Sequence, residues 1–198
     1  MNIEQAHLFL TTERSYDNSF TTRLSFDAGK FFAPPSKEVT LGVGKIYSGI
    51  RYPIYNDEKQ IFQTVQGLVY VLTHECDIDQ NNIRPFNTEV LICPILDFSL
   101  FVKHFQTEHS EDQLKNFLLN LAQRKVSRVI YIPQYAPDLP YGGLLYFNQI
   151  TNTHISAFSL DSVKEVCTVT RYGLEIIDQS IENHFLRPKA ENWPLLRY

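Results

Sequence analysis

Gly67-Leu68-Val69-Tyr70-Val71-Leu72-Thr73-His74-Glu75-Cys76-Asp77-Ile78-Asp79 is the stretch on which the reading of this chain turns. Leu68 to Leu72 is a compact apolar run of the length and composition of a strand buried on both faces. It gives way at once to His74, Glu75, Cys76 and Asp77, which can titrate, bind a metal, attack an electrophile or hold such a group in place. No other part of the chain sets so much chemistry against so much core. The strand is therefore expected at the centre of the fold, and its end is the first place to look for a site. With the backbone extended through this end, His74 and Cys76 point to one side and Glu75 and Asp77 to the other.

Glu89-Val90-Leu91-Ile92-Cys93-Pro94-Ile95 is a second buried run, and its nearness makes it the natural partner of 68–73. Residues 80–87 between them read as a polar loop. Upstream, residues 39–47 read as a strand interrupted by Gly42 and Gly44, glycines of the kind that mark a bulge or sharp bend. Residues 50–55 form an extended piece whose Pro53 suits an edge, and residues 61–65 lead into the central strand. Residues 1–22 are polar and weakly patterned. Residues 23–27 alternate like a strand, and Phe31-Phe32-Ala33-Pro34-Pro35 makes an extended aromatic corner.

Downstream, Asp97 is placed to cap a helix over 98–105. Ser110-Glu111-Asp112-Gln113 is a capping box, followed by Leu114, Phe117, Leu118 and Leu121 at helical spacing. Strand character returns at 126–132. Residues 144–150 and 154–158 read as a hairpin turning at 151–153, and 165–168 as a last strand. Thr170 caps a final helix to about Leu186, with Leu174, Ile177, Ile181 and Phe185 as its apolar stripe. This order predicts an α+β fold, mainly β with helices: a small SH3-like antiparallel β-barrel with a helical insertion and a C-terminal helix. The 198 residues divide as one domain into a first barrel half (23–96), the insertion (97–125), a second half with the C-terminal helix (126–186) and a tail (187–198).

Composition narrows the function classes. Hydrophobic residues make up 43% and charged residues 20%, which suits a packed core and not a disordered chain. The net charge of −4 does not favour RNA, since phosphate binding calls for a basic surface. Three cysteines, Cys76, Cys93 and Cys167, without short spacing read as reduced thiols. The N-terminal residues lack a signal-peptide pattern, and no apolar run nears the roughly 20 residues of a membrane helix. The expectation is a cytoplasmic protein with no membrane partner, no metal and no cofactor, whose partner is another protein or a second copy of itself.

Several of these segments together resemble the MazF/PemK-type toxin fold. Gly44-Lys45-Ile46-Tyr47 resembles that family's opening strand, Leu68-Val69-Tyr70-Val71-Leu72-Thr73 its central strand, and Val90-Leu91-Ile92-Cys93-Pro94-Ile95 the strand that follows. Asn148-Gln149-Ile150 resembles its later Asp/Asn-Gln-Ile step, and a C-terminal helix follows in both. The resemblance spans residues 40–186. It implies an SH3-like barrel and a place in a bacterial toxin–antitoxin or defence system. The toxins are ribonucleases that use an Arg just before the central strand and a Thr or Ser just after the Pro-Ile step. Here Gln66-Gly67 and Leu96-Asp97 stand at those places, so the barrel is expected without that chemistry.

The candidate catalytic residues are His74, Cys76, Asp77, Arg128 and His154; the candidate ligand-binding residues are Asp77, Arg128 and Tyr131. Cys76 beside His74 can be a thiolate nucleophile, or else a small buried apolar group with Asp77 bonding the turn. Arg128, inside the apolar run 126–132, is expected to pair with Asp77 or to hold an anion. His154 is expected to approach the 74–77 end of the central strand. Tyr131, Tyr135, Tyr141 and Tyr146 ring the 133–143 loop, where aromatics either grip a ligand or pack. The first reading is a binding or regulatory domain. The alternatives are a ribonuclease or other phosphate-ester hydrolase with His74 or His154 as base, and a thiol hydrolase using Cys76.

Overall fold

The computed structural model describes residues 1–12, 28–35, 41–56, 59–79, 81 and 89–186. In chain order the elements are α1 (Ile3–Thr11), α2 (Ala28–Phe31), β1 (Phe32–Ala33), β2 (Lys45–Asn56), β3 (Ile61–Val71), α3 (Glu75–Ile78) and β4 (Glu89–Asp97). There follow α4 (Phe98–Glu108), α5 (Glu111–Ala122), β5 (Val129–Ile132), β6 (Gly143–Tyr146), β7 (Thr151–His154), β8 (Lys164–Val169) and α6 (Arg171–Phe185). Short 3-10 turns cover Phe147–Gln149 and Ile155–Ser159.

All eight strands join one antiparallel sheet of order β1-β8-β2-β3-β4-β6-β5, with β7 paired to the leading half of β4. The fold is α+β, and β3 lies in the middle of the sheet as its apolar run requires. Leu68 and Val71 stand opposite Ile95 and Ile92, so the 68–73 and 89–95 runs pair as expected. The expected closed barrel is not found: among the described residues no ladder joins β1 to β5. The sheet nevertheless bends until its two ends meet. Phe32 of β1 packs edge-on against Tyr135, three residues past β5, with ring centroids 5.4 Å apart.

Alternation along the strands divides the core between the two faces. One face carries Ile46, Tyr70, Cys93, Ile95, Ile130 and Leu145, covered by Ile176 and Ile177 of α6. The other face has two parts. Near β5 and β6, Tyr131 and Leu144 are covered by α1, α4 and α5 through Ala6, Leu10, Phe98, Val102, Leu114 and Leu118. Near β2 and β3, Tyr47, Ile50, Val69, Val71 and Ile92 are covered by Ile78 and partly by Ile155 and Phe158.

The helix starts are local chemistry. Asp97 caps α4 through Leu100 N, Ser110 and Gln113 close the expected box on α5, and Thr170 caps α6 through Gly173 N. Three readings need correction. The weakly patterned start contains α1, opened by an Asn2/Gln5 capping box. Residues 45–56 form one long strand rather than two, bent where its register against β3 shifts between Tyr47 and Ile50. The expected hairpin of 144–150 with 154–158 does not form. Its supposed turn, 151–153, lies within β7, which pairs with Glu89–Ile92 of β4. The strand expected at 23–27, most of the loop 80–87 and the tail lie outside the described residues.

Tyr70 is fully buried, and its hydroxyl has no hydrogen-bond partner among the described residues. Burial, with Asp178 and Cys93 nearby, pushes its pKa far up. A hydroxyl buried without a bond costs about 1–3 kcal/mol. Tyr70→Phe is therefore expected to raise stability by about 1 kcal/mol, read as a higher urea midpoint at unchanged slope. A lower midpoint would show that the hydroxyl is bonded.

Candidate functional site

Past Val71 the backbone leaves the sheet, and the expected extended end is a helix. Leu72 N still reaches Leu91 O (2.9 Å), and Leu91 N then takes the Thr73 hydroxyl (2.6 Å) in place of a carbonyl. His74 is the N-cap of α3: its Nδ1 accepts the Cys76 N–H at 3.2 Å. Glu75 and Asp77 occupy the first turn, where carboxylates suit the helix dipole. Side chains 74 and 76 are thus not aligned on one face of a strand. Cys76 is exposed, so the buried-hydrophobe reading of it is also corrected.

His154 repeats the device. It caps the 155–159 turn, with Nδ1 accepting Ser156 N at 3.2 Å and lying 2.8 Å from the Ser156 hydroxyl. Accepting at Nδ1 leaves the proton of the neutral ring on Nε2 in both histidines. His154 lies at the end of β4 whose Leu91 N meets Thr73, with β4 between it and the 74–77 end. Residue 154 pairs with Glu89 on the edge of β4 away from β3.

Arg128 lies in the exposed turn before β5, not inside a strand, and its carbonyl accepts Phe147 N at 2.9 Å. β4 and β6 stand between β3 and β5 in the sheet, and among the described residues Arg128 and Asp77 form no ion pair. Asp77 is exposed on α3. Tyr131 is 3% exposed and belongs to the core. Its hydroxyl donates to Tyr141 O (3.2 Å) and lies 3.1 Å from His7 Nε2, which must then carry the proton. The two buried thiols, Cys93 and Cys167, are pushed by burial up to about 12 and are inert at neutral pH.

His7 sits among the rings of Phe98, Tyr131 and Tyr141, and burial lowers its pKa below the usual 6.5. The unfolded chain takes up that proton first as pH falls. The contribution of neutral His7 is thus complete above pH 6.5 and declines from there until the lowered native value is passed. Urea midpoints of wild type and His7→Gln are expected to differ more at pH 7.5 than at pH 5.5. An equal difference at both pH values would remove the linkage.

The polar constellation that the fold does assemble lies elsewhere. Lys45 is 5% exposed, the one buried charged residue among the described residues. Its Nζ reaches Glu165 Oε2 at 2.9 Å, and the Tyr47 hydroxyl approaches the same oxygen at 3.4 Å. Thr168 donates to Glu165 Oε1 at 3.1 Å. Lys45 and Tyr47 share a face of β2, and Thr168 and Glu165 stand opposite them on β8. Burial and then the Glu165 carboxylate push the Tyr47 phenol far up. Close by, Gly44 N joins β2 to Val71 O (3.1 Å), and Glu75 lies against Gly42 so tightly that a Cβ there would sit 2.3 Å from its Cγ. Both oxygens of Glu165 are bonded, and the cluster ties β2 to β8 across a bulge. The sequence analysis singled out neither Lys45 nor Glu165, which lie 120 residues apart.

The second feature not anticipated is the outer half of the β2–β3 hairpin. β8 pairs with β2 only at Lys45–Ser48, and β4 with β3 only at Leu68–Val71. Residues 50–56 and 61–67 therefore continue as a two-stranded ribbon. Ile50, Tyr52, Ile54 and Val65 fold its inner face onto the core. Its end carries Tyr55, Ile61 and Phe62 at 44%, 50% and 75% exposure. The Tyr55 and Phe62 rings stack edge to face at 5.2 Å in the open.

Among the described residues no three or more His, Cys, Asp or Glu side chains converge as a metal site would require, and no helix is long and apolar enough to cross a membrane. Comparison with protein-family models, curated proteins and solved structures gives no match.

Proposed function

We propose that this is a binding or regulatory domain that docks a protein partner through the end of its β2–β3 ribbon. The observation that carries this is the exposed Tyr55–Phe62 ring pair at the end of an ordered ribbon, with Ile61 exposed on the other face. A two-stranded ribbon is marginal alone, and large apolar side chains in water gain about 25 cal/mol for each Å² they bury. Aromatic groups clustered on an ordered projection are the usual anchors of an interface. The hydrolase readings lack comparable support, since both histidines proposed as bases are engaged as backbone caps.

An SH3-like, MazF/PemK-type barrel in a bacterial toxin–antitoxin or defence system is the wider reading proposed here. What supports it is the bend that brings Phe32 to Tyr135, together with the sequence likeness of the β2, β3 and β4 strands. A photo-crosslinking residue placed at Phe62 in growing cells is expected to give a discrete protein adduct, while the same probe at Arg171 gives none. Absence of any adduct at Phe62 would overturn the docking role.

A further inference from the structure

We propose that the partner of the ribbon is a second copy of this chain, joined by antiparallel pairing of residues 61–67 with the same residues of the other copy. This rests on the docking role of the ribbon given above. It adds the partner, the edge used and the register.

β3 is bonded to β2 along the whole ribbon, so one edge of the strand is used. On its other edge β4 pairs only at Leu68–Val71, and among the described residues no strand pairs with 61–67 there. Open edges with free N–H and C=O groups template the addition of another strand. Proteins commonly block such edges with lysine, proline or other charge. Ile61-Phe62-Gln63-Thr64-Val65-Gln66-Gly67 contains none of these. An uncharged edge can meet its own copy with no like charges opposed at the contact. The opposite edge of the ribbon, on β2, carries Arg51 and Pro53, a charge and a missing N–H of the kind that block strand addition.

The register follows from where the edge begins and ends. The hairpin turn limits it before Ile61, and β4 occupies the edge from Leu68 onward. Two copies related by a two-fold axis overlap best with the axis at the midpoint, Thr64. Thr64 then faces Thr64 of the other copy, Gln63 faces Val65, Phe62 faces Gln66, and Ile61 faces Gly67. Directly opposed Cβ atoms in such a pair lie about 4.5–5.5 Å apart. Ile61, half exposed in one copy, falls beside a residue with no side chain in the other. Phe62, the most exposed large apolar residue, falls beside the long stem of Gln66.

The purified chain of 23.0 kDa is expected to sediment with twice that mass, and Thr64→Lys, which sets two ammonium groups face to face at the axis, to sediment as a monomer with an unchanged circular dichroism spectrum. Register is tested by disulfide trapping in a Cys76→Ser background. Thr64→Cys is expected to give a covalent dimer under mild oxidation. Phe62→Cys, whose copies lie four residues apart along the paired strands, is expected to give none. A monomeric wild type, or a dimer indifferent to Thr64→Lys, overturns the proposal. So does equal trapping at both positions. These failures remain distinct from failure of the docking role: a Phe62 crosslink to a protein of different mass would leave that role standing with another partner, and no crosslink at all would remove both.

Discussion

Lys45→Ala is expected to lower the stability of this protein by about 3–5 kcal/mol, the cost of leaving a buried charge without its partner. Glu165 is the charge concerned: its side chain is 12% exposed, and the lysine ammonium lies 2.9 Å from its carboxylate. Tyr47 and Thr168 would still bond it, but neither carries charge. Against a total of about 5–15 kcal/mol for an ordinary domain, this loss brings the chain close to unfolding at room temperature. The double variant Lys45→Met with Glu165→Gln removes both charges and keeps most of the volume, and is expected to lie within about 2 kcal/mol of wild type. Urea denaturation of Lys45→Met, Glu165→Gln and the double gives the coupling energy. A loss under 1 kcal/mol for Lys45→Ala would mean that water reaches Glu165 and that the pair is not buried in solution.

Gly49→Ala is expected to cost about 2–5 kcal/mol. Residue 49 has φ of +83°, where any side chain is strained by about 1–2 kcal/mol. A Cβ there would also lie 2.3 Å from the backbone oxygen of Ser162. Relieving that contact moves the chain entering β8, an overpacking cost of about 1–3 kcal/mol. The glycine sits where β2 shifts register against β3, so the strain falls on the bend that starts the ribbon. Gly67→Ala is the control: a Cβ there meets the Tyr52 hydroxyl at 3.0 Å and no backbone atom, with the φ of residue 67 outside the left-handed region. Its cost is expected to stay below about 1 kcal/mol. Equal losses in the two variants would show that the backbone at 49 is not held as described.

The parts of the fold that were legible in the sequence are those written locally. Asp97, Ser110 with Gln113, and Thr170 announced three helix starts because a cap is chemistry within four residues. The β3–β4 pair was legible because two apolar runs stand close in sequence. The box of Asn2 and Gln5 was equally local, and it was passed over because the helix behind it has mixed polarity. The rest failed for physical reasons. An apolar run does not say where its strand ends: Thr73 and His74 divert the backbone with side-chain bonds that imitate the ladder. β7 has the polar composition of a turn because it lies at the margin of the sheet, with two of its four residues exposed. Tyr131 looked like a ligand contact because its neighbours are loop residues, whereas its covering layer, α1, comes from the other end of the chain. Of the candidate site, the sequence located the chemically rich end of β3 but not the helix that separates its groups.

The seam between Phe32 and Tyr135 has a dynamic consequence. A barrel closed by a ladder must break several backbone bonds together in order to open. Here, among the described residues, the junction is made by side-chain packing, Phe32 on Tyr135, with no ladder to break. Opening should therefore run along this line and leave the central strands untouched. In deuterium exchange, the amides of Leu68–Val71, held between β2 and β4, should be among the last to exchange. The free edge of Val129–Ile132 should exchange early, in a step whose rate rises when Tyr135 is cut back to alanine.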